Sequence, residues 1–170
     1  MPKCPVCGNE MEVRIEEYEI PYFGKSLIFS AVCKHCGYKH SDVFSVEEKE
    51  PARLIFKVED ENDLMTRVIR SSEASIEIPE LGIRIDPGIM SQGYITNVEG
   101  ILLRIEEVIK GQLIAGSERK EQLIKLLEKI ENMKKGKEEF TLIIEDPSGN
   151  SSIVSKKTVV EKIKNDRINF

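Results

Sequence analysis

Apolar and polar positions alternate along this chain with two different periods, and the period changes twice. Glu12-Val13-Arg14-Ile15-Glu16 alternates, and Leu27-Ile28-Phe29-Ser30-Ala31-Val32 is nearly continuous apolar sequence. Both predict strands. Pro21-Tyr22-Phe23-Gly24 breaks the run between them. Tyr38 to Val46 is strand-like again, and Glu47-Glu48-Lys49-Glu50-Pro51 is a charged, proline-terminated linker. Leu54, Phe56 and Val58 then alternate within Arg53 to Glu59. Asp63 to Arg70 fits either a strand or a short helix. Ser75-Ile76-Glu77-Ile78 and Gly82-Ile83-Arg84-Ile85-Asp86 alternate cleanly around Pro79-Glu80-Leu81. Asp86-Pro87-Gly88 predicts a turn in which proline presets φ and glycine takes the positive φ that follows.

A helical period follows. Val98, Ile101, Leu102, Ile105, Val108 and Ile109 lie three or four residues apart. Thr96-Asn97-Val98-Glu99 reads as a capping box with Thr96 as N-cap. Gly111 and Gly116 break or bend the segment. A second helix is expected from about Ser117, its N-cap, to Lys135, closed by Gly136. Its stripe is Leu123, Leu127 and Ile130, flanked by Ile124 and Leu126. Two such helices with a short glycine-containing joint make an antiparallel hairpin. Strands resume at Glu139-Phe140-Thr141-Leu142-Ile143-Ile144-Glu145. Asp146-Pro147-Ser148-Gly149-Asn150 is a loop of turn formers. Ser151 to Ser155 is short and strand-like, and Thr158 to Phe170 fits a strand followed by a helix. The expected fold is mainly β with α: a small module over 1–46, a linker over 47–51, and a β-domain over 52–170. The last carries a helical hairpin at about 97–135. Strands, an inserted hairpin, then strands suit a β-sandwich or double-stranded β-helix better than a βαβ sheet.

The cysteines decide what the first module is. All four of the chain's cysteines fall in two matched loops, Cys4-Pro5-Val6-Cys7-Gly8 and Cys33-Lys34-His35-Cys36-Gly37. A Cys-x-x-Cys-Gly loop turns sharply enough for both sulfurs to face one point, and its glycine supplies the left-handed conformation that closes the turn. Two such loops place four thiolates around one tetrahedral ion, so the expected ligands are Cys4, Cys7, Cys33 and Cys36. The spacing between the pairs fits a zinc ribbon, with the predicted strands lying between the knuckles. A rubredoxin-like iron site is the nearest rival. Rubredoxins carry the proline knuckle second and an aromatic core, whereas here the proline knuckle comes first and tryptophan is absent. Disulfides suit an oxidising compartment, but Met1-Pro2-Lys3 leads straight into Cys4 with no signal peptide, so a reducing, cytoplasmic setting is expected. A redox dithiol needs one pair, and two pairs able to share an ion favour one structural Zn²⁺. Four sulfurs close the coordination shell, leaving no position for water or substrate. His35 and His40 beside the second knuckle are then expected to be solvated and not ligands.

Size and charge narrow the function. The chain has 170 residues, 40% hydrophobic and 32% charged, with a net charge of −5. That is enough for a proper core, and no stretch has the length of apolar sequence a membrane span needs. A ribbon raises the prospect of nucleic acid, but residues 1–46 hold five Lys or Arg against six Asp or Glu. Zinc with four thiolates adds a charge of about −2. This disfavours a phosphate backbone. Glu10, Glu12, Glu16, Glu17 and Glu19 are expected to guard a solvated strand edge. The abundance of Ile, Lys and Glu is compatible with a heat-adapted source.

Catalytic constellations are scarce. Both histidines lie in the ribbon, which excludes a histidine-ligated metal in the second domain. Gly24-Lys25-Ser26 resembles the end of a phosphate-binding loop, but the earlier glycine position holds Glu19. No Gly-x-Ser-x-Gly is present, and beyond His40 there is neither histidine nor cysteine to form the commonest nucleophile–base pairs. Glu106-Glu107 and Glu138-Glu139 are expected to be solvated faces. The chain is not expected to be an enzyme.

The ordered combination resembles the ZPR-type zinc-finger proteins. The residues that carry the resemblance are the two knuckles, Ile20-Pro21-Tyr22-Phe23, Ile78-Pro79-Glu80-Leu81, Pro87-Gly88 and Val98-Glu99-Gly100-Ile101-Leu102. The resemblance implies a ribbon like that of a translation initiation factor 2 subunit, joined to a double-stranded β-helix. It also implies an interaction protein without enzymatic chemistry that binds translation elongation factor 1-alpha and assists its folding. Eukaryotic members carry two ribbon-plus-β modules in tandem; one module here looks like the archaeal branch. Ser91-Gln92-Gly93-Tyr94-Ile95-Thr96-Asn97 departs from the family's glycine-rich stretch with Thr-Thr. The motifs of the second domain read as packing positions, and no partner-binding residue is named. The alternative is an RNA-binding ribbon acting in translation, with Tyr22, Phe23, Phe29 and Tyr38 stacking on bases.

Overall fold

A computed structural model describes residues 1–21 and 23–163. Three antiparallel strands form the amino-terminal module: β1 (Glu12–Ile20), β2 (Gly24–Val32) and β3 (Lys39–Ser45), in the order β1-β2-β3. The acidic strand β1 is the outer edge, with Glu12 paired to Val32 and Ile20 to Gly24. Charge at an unpaired edge blunts edge-to-edge association.

The second part begins with β4 (Ala52–Val58). The ambiguous stretch after it is both of its alternatives in turn: α1 (Glu61–Leu64), then β5 (Arg67–Arg70). Asp60 starts the short helix, since its carboxylate accepts from the N–H groups of Asn62 and Asp63 and caps it. Next come β6 (Ser75–Ile78), one 3₁₀ turn at Pro79–Leu81, β7 (Ile83–Ile85) and β8 (Tyr94–Asn97). Helices α2 (Val98–Ile114) and α3 (Lys120–Lys134) form the hairpin, and β9 (Phe140–Asp146), β10 (Ser152–Ile153) and β11 (Val159–Lys162) complete the chain. Among the described residues these strands make two antiparallel sheets, β11-β4-β9-β6-β7 and β10-β5-β8. The helix expected near the carboxyl terminus lies outside the described residues.

One core joins both sheets to the hairpin. Leu54, Phe56 and Val58 point inward from β4, and Phe140, Leu142 and Ile144 from the facing row of β9. Val98, Ile101, Leu102, Ile105 and Ile109 enter from α2, and Leu123, Ile130 and Met133 from α3. Ile78 and Leu81 are buried in the same core, so Ile-Pro-Glu-Leu is a packing motif.

Several local expectations need correction. The N-cap of α2 is Asn97, whose Oδ1 accepts from the Gly100 N–H at 2.8 Å, and not Thr96. Thr96 is still paired to Val68 in the sheet, and its hydroxyl fills the space where a Cβ on Gly100 would stand, 2.0 Å away. Gly100 therefore allows the strand to turn directly into the helix. Gly111 interrupts nothing: α2 runs through it, at a cost of about 1 kcal/mol that the packed face outweighs. Gly116, at φ 81°, ends α2, and the Ser117 N–H closes it by donating to the Gln112 carbonyl. The Ser117 hydroxyl accepts from the Arg119 N–H at 3.2 Å, just ahead of α3, and α3 itself starts at Lys120 with Arg119 at its N-cap and no side-chain cap. Val108, counted in the helical stripe of α2, is exposed, as is Ile124, which flanks the stripe of α3. Gly88 does not take a positive φ; the tight turn falls later, where the Ser91 N–H donates to the Gly88 carbonyl.

The ribbon sits directly on the second part. Ile20 and Val43 bury against Ile69, with Phe23 and Val154 alongside. The buried Asp42 carboxylate accepts from the backbone N–H of Ser72 at 2.9 Å and from its hydroxyl. Ser41 and Gly93 exchange backbone N–H and side-chain O–H bonds, each 2.9 Å. The Ser45 N–H donates to Asn150.

Candidate metal centre

Each knuckle is built the same way. The Gly8 N–H donates to the Cys4 carbonyl at 2.9 Å and the Gly37 N–H to that of Cys33 at 2.9 Å; both glycines are left-handed, φ 74° and 77°. A side chain there would be strained, which is why glycine follows each pair. Further backbone bonds, from Cys4 N–H to Asn9 and from Cys33 N–H to Tyr38, fasten the loops to the strand ends.

The two loops then bring their sulfurs together. Cys4 Sγ lies 3.5 Å from Cys36 Sγ, Cys7 Sγ lies 3.5 Å from Cys33 Sγ, and all four fall within 4.8 Å of one another. The separation is far beyond the roughly 2.05 Å of a disulfide. Zinc–sulfur bonds of about 2.3 Å at tetrahedral angles put sulfurs about 3.8 Å apart, so the constellation fits one such ion. Neither histidine belongs to the cluster. His35 is exposed, whereas His40 is half-buried with its ring 6.2 Å from Phe29, edge to face, a correction to the expectation that it is solvated.

Burial divides the ligands. Cys4 and Cys33 are buried with Met11 and Ala31, under Val13, Phe29 and Tyr38; Cys36 faces outward. Without metal the thiols are unequal. Hydrogen bonds from the side chain and backbone of Asn9 pull Cys7 down to about 6. At Cys36 the Tyr38 backbone bond likewise pulls the thiol down, yet desolvation and hydrogen bonds shared with Cys4, Cys7 and Cys33 outweigh it and leave it pushed up to about 12. Crowded sulfurs cannot all ionise unaided, and a divalent cation removes that conflict. The module thus holds one structural zinc in a shell closed by four sulfurs, with nothing left open for a substrate.

Of the carboxylate pairs, Glu107 and Glu139 are exposed, but Glu106 is not a solvated residue. Its side chain is 14% exposed and bridges the hairpin, 2.7 Å from Lys134 and 2.6 Å from Lys110. The helical period places Glu106 between buried Ile105 and Ile109 but does not reveal Lys134 across the hairpin. Sequence reasoning also passed over Asp146, buried at the end of β9, which accepts from the hydroxyls of Ser71, Ser148 and Ser151. The nearby turn formers hinted at a loop and gave no sign of that network. Tyr22 of the expected stacking set lies outside the described residues. Phe23 is taken up in the contact between the two parts, and Phe29 and Tyr38 pack over the sulfurs.

Comparison with known proteins agrees with this geometry. The ZPR1 zinc-finger domain matches residues 1–51 and the ZPR1 jelly-roll domain matches residues 62–168. A ZPR1-like protein of Methanocaldococcus jannaschii is 42% identical over 97% of this chain and 85% of its own length. One of Pyrococcus horikoshii is 39% identical over 97% of this chain and 77% of its own. The zinc finger chaperone zpr1 of Schizosaccharomyces pombe is 33% identical over 90% of this chain, which spans 34% of that longer protein.

Proposed function

The chain belongs to the ZPR1 family, and from that premise we propose that it binds translation elongation factor 1-alpha and assists its folding. The zinc-binding ribbon is the platform. The observation that carries this proposal is a closed four-sulfur site supporting a sheet whose apolar row is, among the described residues, exposed at Ile15 and Phe44 and half-buried at Leu27 and Phe29. Ile15 pairs with Phe29 and Leu27 with Phe44, which places all four on one face. Ile15 is 62% exposed and Phe44 43%, and Val46 beyond them is exposed too. An apolar row of this kind on a small domain marks a contact surface. Glu17, opposite Leu27, and the other acids of β1 favour a partner with basic groups around its own apolar contact. The name of the fission-yeast relative, a chaperone, supports the same reading. No reaction is part of the proposal.

RNA binding gains no support from the aromatics, since Phe23, Phe29 and Tyr38 are half-buried in contacts within the fold and the chain is net negative. Among the described residues no helix is long and apolar enough to cross a membrane, and a cytoplasmic setting is proposed with the function.

The test is capture of purified elongation factor 1-alpha from the same organism by the zinc-loaded chain, with Phe44→Asp and Ile15→Asp as variants. Retention by the parent and loss in both variants, at unchanged zinc content, is expected. Equal retention by parent and variants, or none by the parent, overturns the proposal.

A further inference from the structure

Away from the sulfurs, one buried group stands without its opposite charge. Arg70, at the end of β5, is 5% exposed and makes no ion pair among the described residues. Its donors are occupied by neutral oxygens: Nε and Nη2 reach the Ala74 carbonyl at 3.1 and 2.6 Å, and Nη1 reaches Ser91 Oγ at 2.9 Å and the Gln92 carbonyl at 3.0 Å. Those bonds engage most of its N–H groups but leave its charge uncompensated, a costly state for a buried cation. Desolvation pulls its pKa down, and the more distant Asp146 and Asp42 only partly oppose this.

A second cation converges on the same place. Tyr94 is the cross-strand partner of Arg70, whose guanidinium carbon lies 5.5 Å from its ring centre. Arg104, from α2, lies 4.0 Å from the same ring centre. Arg104 has no ion pair or hydrogen bond among the described residues, and neither has the Tyr94 hydroxyl. The three border a cavity of about 420 Å³ that also takes in Ser41 and Gln92, and no carboxylate lines it. In a chain of net charge −5, two arginines sharing a cavity without an acid make a local reversal of sign.

We propose that this cavity binds a phosphoryl group. Arg104 offers its planar fork, whose two parallel N–H bonds match phosphate oxygens. The Tyr94 hydroxyl is a further free donor, and Arg70 supplies a fixed field behind them. Two positive charges suit a phosphate dianion; a single carboxylate leaves one cation uncompensated. The site spans the contact between ribbon and jelly roll, because Ser41 belongs to β3 and Gln92 donates to the Lys39 carbonyl at 2.8 Å. Occupancy therefore fastens the two parts together. The proposal is independent of the elongation-factor reading.

The test uses the zinc-loaded full chain in Hepes at constant ionic strength, titrated with inorganic phosphate and followed by ¹⁵N–¹H NMR. Saturable shifts at Gln92, Gly93, Tyr94 and the Arg104 side chain are expected, with a rise in melting temperature. Arg104 is exposed, so Arg104→Gln is expected to fold and to melt as the parent does in chloride while weakening phosphate binding by roughly tenfold or more. ADP in place of phosphate separates the sources: tighter binding at the same residues assigns a nucleotide, and its exclusion assigns the free ion. Absence of saturable shifts, shifts unchanged in Arg104→Gln, or acetate binding as well as phosphate overturns the proposal.

Discussion

The ribbon's own cluster is little more than Met11 and Ala31 beside two of its cysteines, its Ile20 and Val43 being buried only against the second part, whereas the jelly roll buries Phe56, Phe140, Leu142, Ile144, Ile101 and Ile130 in a core shared by two sheets and a hairpin. Both are antiparallel β structures, and the strands of the ribbon are if anything the longer. In the first, apolar burial is too small to hold the strands, and four sulfur–metal bonds stand in for the missing core. In the second, alternation along β4 and β9 supplies the core outright. The difference teaches that strand periodicity alone does not report what stabilises a sheet. The spare chemistry at its ends does.

The largest expected effect breaks the comparison on the ribbon side. Cys33→Ser, or a strong chelator, removes a metal contribution of order 10 kcal/mol. Hydrogen exchange should then show residues 1–45 losing protection while Phe140 and Ile130 keep theirs. Simultaneous loss in both regions contradicts independent stabilisation. The converse change is Phe140→Ala, at a residue 1% exposed. It should cost about 3–5 kcal/mol in denaturant titration with zinc still at one per chain. A drop in zinc content would show that the core also organises the knuckles.

Gly93→Ala tests the contact between them. A Cβ there would lie 2.4 Å from Asp42 Oδ1 and 3.0 Å from its Cα. Overpacking at such a site costs about 1–3 kcal/mol, and the expected signature is a wider separation between the unfolding of the two regions than in the parent. A separation unchanged from the parent's would mean that the contact yields easily.

Acid gives the smallest and most local effect. Hydrogen bonds from Lys110 and then Lys134 hold the Glu106 carboxyl below its usual range. A depressed folded pKa contributes stability above the unfolded value of about 4.3, and that contribution fades as pH falls through the folded value. Glu106→Gln should remove about 0.5–1 kcal/mol of this acid dependence from the hairpin, measured as melting temperature against pH. The ribbon should lose zinc on acidification equally in both proteins, because its own thiolates take up the protons.

Local chemistry was legible wherever one short segment contains all of it. Each knuckle carries its sulfurs, its turn and its glycine within five residues, and the alternation of Leu54, Phe56 and Val58 reports an inward row directly. Cap positions were displaced because neighbouring structure competes for the same residues: Thr96 stays paired with Val68, and Ser117 lies in the turn that closes α2, its hydroxyl reaching only the Arg119 N–H ahead of α3. Glu106 was misjudged for a similar reason, since its partner Lys134 comes from the other helix.

By itself, the order of residues determined two metal-binding turns, the rows that form the core, and a helical hairpin between strands. Each follows from spacing within a few residues, where backbone geometry leaves little choice. Tertiary structure alone decided that Asp42 anchors the ribbon to Ser72, and that Arg70, Tyr94 and Arg104 meet around one cavity. Those groups come from separate strands, a helix and a loop, and their proximity depends on how whole sheets pack.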